Sequence, residues 1–135
     1  MTNVNNKTGK WNYHNNCFGY AVNIPRWLLV EDYLQTHCDT QTETYIQFIL
    51  DKGYEKFNLK PVSKKDMVLG KTYVAYRYYR DDFHFMKRLP SGHWRHKQGG
   101  QPVAPISQKD VLNGGWVRSD GAVYNSKLYL FEVVK

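Results

Sequence analysis

Residues 72–97 constrain the fold more than any other stretch. Thr72-Tyr73-Val74-Ala75-Tyr76-Arg77-Tyr78-Tyr79 is dense in β-branched and aromatic residues and reads as a strand. A second strand is expected from Phe83 to Leu89 and a third from His93 to Lys97. Between these two stands Pro90-Ser91-Gly92. Proline sets the first turn angle and glycine takes the left-handed position of a three-residue hairpin loop. Such a loop puts Leu89 opposite His93, Met86 opposite His96 and His84 opposite Gln98. Side chains alternate across a strand, so His84, Met86, Trp94 and His96 share one face, with Phe83, Phe85 and His93 on the other. His84 and His96 become diagonal neighbours, near enough for their rings to hydrogen-bond. A loop longer or shorter by one residue would send them to opposite faces.

Upstream the pattern is helical. Asn15-Asn16 is a helix start, because asparagine caps exposed N–H groups. Phe18, Ala21 and Val22 form a short apolar stripe that Pro25 closes, so Cys17 falls in the first turn of a short helix. A second helical piece is expected from Trp27 to Gln35. Thr40-Gln41-Thr42-Glu43 is a capping box, with Thr40 at the N-cap and Glu43 three residues on. Tyr45, Ile46, Phe48, Ile49 and Leu50 then fill one face, and Gly53 is the expected stop. Residues 1–14 are polar and loop-like, with Trp11 and Tyr13 left to pack elsewhere. Downstream, Gln98 to Ser107 reads as a Gly/Pro loop and Ser107 to Leu112 as a short helix broken by Asn113-Gly114-Gly115. Leu128 to Val134 reads as a closing strand, apolar on both faces and central. The expected class is therefore α+β, with N-terminal helices packed on a C-terminal antiparallel sheet. At 135 residues, one domain spans 1–135.

Composition narrows the functional classes. The chain is 41% apolar, enough for a core, and 16% aromatic with eleven Tyr, which suits a β-rich fold with a binding groove. No apolar run approaches the ~18 residues of a membrane span. Met1-Thr2-Asn3-Val4-Asn5-Asn6-Lys7 is polar and unlike a signal peptide, so the expected site of action is the cytoplasm, its own or a host's. The net charge of +7 suits nucleic acid, an anionic polymer or an acidic protein partner. The only basic clusters are Lys64-Lys65, Lys87-Arg88 and Arg95-His96-Lys97, without an Arg-rich run or a DNA-binding motif, so nucleic acid is not the expected partner. Two cysteines, Cys17 and Cys38, make neither a disulfide framework nor a Cys-x-x-Cys zinc site. No metal and no cofactor is expected.

Chemistry concentrates at Cys17, His84 and His96. A helix start favours the thiolate that nucleophilic attack requires, and its N–H groups can hold an oxyanion. A thiol, an imidazole base and a second imidazole to orient the base are the parts of a cysteine hydrolase. Cys38 lies among polar residues and reads as structural. A different class fits the same chain: a basic binding or inhibitor protein that uses its Tyr- and Trp-rich sheet, with the Cys and His residues structural.

Asn16-Cys17-Phe18-Gly19-Tyr20 resembles the Asp-Cys-Ser-Gly-hydrophobic motif of NlpC/P60-type cysteine peptidases, a compact papain-like branch. His84 and His96 match that family's order and gap for the catalytic histidine and the third polar residue. Asp82 to Lys97 also resembles a stretch of bacterial and phage papain-like proteins. Asn16 stands where the family has aspartate, Phe18 where it has serine, and Asp82-Phe83-His84-Phe85 where it has Gly-His-Val-Gly. The resemblance implies that Cys17 attacks a carbonyl, His84 relays the proton and His96 fixes the tautomer of His84. It implies a protein, peptide or peptidoglycan-type substrate, with hydrolysis, deamidation and acyl transfer all open. The Cys17 N–H, helped by a side-chain donor from Asn12, Asn15 or Asn16, is the expected oxyanion site. Asp66, Asp81 and Asp82 are alternative orienters of the base.

Overall fold

Strands rich in aromatic and aliphatic residues form a six-stranded sheet on which two helices pack. The computed structural model describes residues 14–30, 33, 41–79, 82–114, 116–118, 120–124 and 126–134. Trp11, Asn12, Tyr13, Cys38, Thr40 and Asp81 lie outside them, as do most residues between Val30 and Gln41. The helices are α1 (Cys17–Val22) and α2 (Gln41–Phe57). The strands are β1 (Leu59–Pro61), β2 (Tyr73–Tyr79), β3 (Asp82–Arg88), β4 (Trp94–Lys97), β5 (Val103–Pro105), β6 (Trp116–Val117), β7 (Val123–Tyr124) and β8 (Tyr129–Val133). The main sheet is antiparallel with strand order β1-β8-β2-β3-β4-β5, and β6 and β7 form a separate hairpin. The chain is α+β.

The hairpin loop does what its residues require. Met86 pairs with His96 and Arg88 with Trp94. Leu89 N–H donates to the His93 carbonyl at 2.9 Å, Gly92 N–H donates to the Leu89 carbonyl at 2.8 Å, and Gly92 takes φ 95°. The register is the one read from Pro90-Ser91-Gly92.

Both faces of the sheet are covered. On one, Phe18 of α1 stacks on Phe85 with ring centroids 4.5 Å apart, and Ile46, Ile49 and Phe57 of α2 join Val74, Tyr76 and Phe131. On the other, the β6–β7 hairpin and a π-helical turn at Asp110–Gly114 bring Trp116, Tyr124, Val111 and Leu112 over Ala75, Met86, Trp94 and Leu130. This two-sided cover explains why Tyr73 to Arg77 are buried without alternation.

Several expected boundaries move. The first helix ends at Asn23, whose φ of 61° is left-handed, two residues before Pro25. Trp27 to Leu29 are not helical, because Leu28 turns its backbone to the Asn16 side chain. Gly53 does not stop the second helix, which runs to Phe57 and is followed by Asn58 at φ 59°. Gly53 instead lets β1 approach, since a Cβ there would lie 3.5 Å from the Leu59 Cβ. Leu50 faces outward, 48% exposed, and Phe57 fills the core. The expected loop from Gln98 to Ser107 contains β5. The closing strand β8 lies between β1 and β2, one strand in from the edge rather than central. Among the described residues, no helix is long and apolar enough to cross a membrane.

Candidate active site

Asn16 builds the entrance of α1. Its Oδ1 accepts from the Gly19 N–H at 2.9 Å and the Leu28 N–H at 3.1 Å, while its Nδ2 donates to the Leu28 carbonyl at 2.8 Å. One buried amide thus caps the helix and holds the returning chain. Gly19 has no room for a side chain: a Cβ would sit 2.8 Å from the Ile24 carbonyl oxygen and closer still to that of Arg26. These two residues fix Cys17 as the first residue of α1, buried and free of any disulfide.

Cys17 and His84 line one cleft of about 390 Å³. They reach it from different sides. Cys17 belongs to the cluster under the helices, whereas His84 and His96 face the cluster under the β6–β7 hairpin. The backbone N–H groups of Phe85 and Phe18 point at the Cys17 sulfur. Burial dominates, however, and pushes the thiol up to about 12, with Asp82 adding to the rise and Lys97 opposing it. The resting group is a thiol, not the thiolate expected at a helix start.

The imidazole pair forms as the register requires. His84 Nε2 lies 2.8 Å from His96 Nδ1. Trp116 stacks on His84 at 4.2 Å between centroids and meets His96 edge-on at 5.1 Å. Burial, the neighbouring His96 and then Arg118 hold His84 well below the usual imidazole range. Burial lowers His96 to about 4. Both rings are neutral near pH 7. Among the described residues, the hydrogen bond His84 makes is to His96 and not to the thiol, which leaves its Nδ1 for a reacting group. His93 is exposed and bonds Ser91 Oγ at 3.2 Å, away from the cleft.

The auxiliary residues divide. Asn16 lines the cleft, and its amide ties Gly19 to Leu28. Asn15 is half-buried, and its carbonyl accepts from Lys97. Asn12 lies outside the described residues. Asp66 sits on an exposed 3-10 turn, bonded to Ser63 Oγ at 3.3 Å. Asp82 is in the cleft wall but turns to Arg118, at 3.0 Å, and to the Tyr124 hydroxyl. Arg118 also grips Asp120 at 2.9 and 2.7 Å.

Sequence reasoning missed Lys97, Trp116, Arg118 and Tyr124. Asp120-Gly121 is turn chemistry that marks the β6–β7 hairpin, and Gly121 takes φ 94°. Strand alternation puts Lys97 opposite in facing to His96, on the Cys17 side. The basic excess is also partly internal, since Arg77, Lys87 and Lys97 are buried against carbonyls and an amide. Among the described residues, no group of three His, Cys, Asp or Glu could hold a metal. Comparison with family models, curated proteins and solved structures finds no match to this chain.

Proposed function

We propose that this chain is a papain-like cysteine hydrolase that cleaves an amide, peptide or isopeptide bond through a thioester on Cys17. The observation that carries the reading is the His84–His96 contact of 2.8 Å in a cleft that Cys17 also lines. With His96 Nδ1 accepting, His84 keeps its proton on Nε2 and presents a bare Nδ1 as base. As Cys17 Sγ bonds to the substrate carbonyl carbon, its proton passes to His84 Nδ1. The imidazolium returns that proton to the leaving nitrogen as the C–N bond breaks. Water, deprotonated by His84, then cleaves the thioester. The Cys17 N–H is the donor for the developing oxyanion. The neutral resting state of both groups means that attack and proton transfer occur together.

Acetyl transfer from p-nitrophenyl acetate tests the reading. The expected result is a burst of nitrophenol with one acetyl group on Cys17 by peptide mass mapping. Cys17→Ala should abolish the burst, and His84→Ala should slow it by about 10²-fold or more. Equal rates for the wild type and the two folded variants would overturn it.

A further inference from the structure

We propose that Asp82, Arg118 and Tyr124 form a clasp that holds the β6–β7 hairpin against the start of β3 and keeps Trp116 flat on His84, which makes Asp82 and Arg118 positioning residues of the His84 base. The inference deepens the hydrolase reading and rests on it for the effect on turnover, but its main test reads the His84 ring directly. The hairpin depends on what it packs against. Its strands pair Trp116 with Tyr124 and Val117 with Val123, two residues each, and lie outside the main sheet. So small a hairpin is marginal in water by itself. Strand alternation turns Trp116, Tyr124 and, just past β6, Arg118 to one side, while Val117 between them faces out, 58% exposed. On β3 the same alternation turns Asp82 and His84 together to meet them. Trp116 and Tyr124 are buried in the apolar cluster, but apolar burial is non-directional and does not set the angle of a ring.

The direction comes from the polar contacts. Arg118 Nε and Nη2 donate to the two Asp120 carboxylate oxygens at 2.9 and 2.7 Å, and the Arg118 N–H donates to the Ala122 carbonyl at 2.8 Å. The guanidinium is thereby set within the hairpin. Its Nη1 then reaches out, donating to Asp82 Oδ2 at 3.0 Å and to the Tyr124 hydroxyl at 2.8 Å. The Tyr124 hydroxyl donates to the same Asp82 oxygen. Two hairpin side chains thus converge on one carboxylate oxygen, two residues ahead of His84, through charge-assisted bonds. The product is the stack: Trp116 lies 4.2 Å from His84 at 21° between planes, and 5.1 Å from His96 at 90°. A flip of the His84 ring about its Cβ–Cγ bond would sweep through the indole. The stack therefore locks the orientation in which Nε2 meets His96.

The experiment is the proton–carbon NMR spectrum of the imidazoles at neutral pH, with the His84 signals assigned by their loss in His84→Gln, beside the p-nitrophenyl acetate burst. The wild type, Arg118→Met, Asp82→Ala and Asp82→Asn are compared, with thermal unfolding recorded for each. A ring stacked on indole resonates upfield of an unstacked one. Arg118→Met and Asp82→Ala should move the His84 ring protons downfield and slow the burst by about 10-fold. Asp82→Asn keeps an acceptor oxygen and should recover part of both effects. Tyr124→Phe removes one donor without opening the core and should move the signals the same way, which keeps the test decisive should the others fail to fold. His84 signals that coincide in the wild type and a folded clasp variant would overturn the proposal, as would a shift that leaves an observed burst unchanged. Failure of the hydrolase reading would look different: the His84 signals would still move, while the wild type would give no burst.

Discussion

Replacing Asn16 with alanine should destabilise the fold through three separate losses. The Gly19 N–H loses its cap, worth about 1 kcal/mol at a helix start. Leu28, fully buried, loses partners for both its N–H and its carbonyl. Each buried backbone group left unpaired costs at least about 1 kcal/mol. The sum is roughly 3 kcal/mol, a large share of the 5–15 kcal/mol typical of a domain. For a chain of this length that lowers Tm by roughly 10 °C. Asn16→Asp separates the contributions. Its carboxylate still accepts from Gly19 and Leu28, but an oxygen now faces the Leu28 carbonyl where Nδ2 donated. It should cost about 1–2 kcal/mol even though a negative charge suits a helix start. Urea unfolding followed by circular dichroism measures both. An Asn16→Ala variant within about 0.5 kcal/mol of the wild type would refute the reasoning, because only a non-essential surface amide behaves so. An Asn16→Asp variant as stable as the wild type would remove the Nδ2 bond from the account.

Three further outcomes are expected. His96→Ala should lower turnover by about 10-fold, less than His84→Ala but far more than His93→Ala, and His96→Gln should restore part of it because an amide oxygen can accept the same bond; steady-state kinetics on the four variants decides. The buried rings should make the protein lose stability in mild acid. The unfolded chain takes protons below about 6.5, whereas His96 stays neutral in the native state down to about 4, so the unfolded state binds more protons and the urea midpoint falls with pH across that window. His96→Gln should flatten that slope, and a midpoint independent of pH would contradict the burial of neutral imidazoles. Gly19→Ala should fail to fold or lose at least about 3 kcal/mol, since its new methyl meets the Ile24 and Arg26 carbonyls rather than a side chain that can turn away; expression and thermal unfolding test it.

What the sequence revealed depended on how local the determinant was. The hairpin register follows from three adjacent residues, Pro90-Ser91-Gly92, and with it the facing of His84 and His96. The start of α1 is equally local, since Asn16 caps a helix three residues away. Its end was not, because Asn23 adopts a left-handed conformation before Pro25 acts. Gly53 has the chemistry of a helix stop, but the approach of Leu59 puts that same small residue to use inside α2. The strands β1, β5, β6 and β7 have two or three residues each, too few for a period to register. Lys97 was hidden for another reason. It reads as one member of a basic surface cluster, and only the chain crossing above β4 makes it an interior cation.

The sheet's two covered faces bear on the chemistry as well as the fold. Cys17 arrives with the helices on one face, and the imidazole pair arrives from the other. Each is dehydrated by its own apolar cluster. Dehydration raises a thiol and lowers an imidazole, so it widens the gap between them from both ends. A thiolate–imidazolium pair is therefore disfavoured at rest, and the Cys17 sulfur should resist oxidation and indiscriminate alkylation. In the proposed reaction, charge separation would arise as a substrate carbonyl enters the cleft, with the negative charge forming on an oxygen beside the backbone N–H of Cys17. If the proposed reaction holds, a cleft built this way gains selectivity from its resting inertness, because the proton would leave Cys17 for His84 only once an acyl group is seated in the cleft they share.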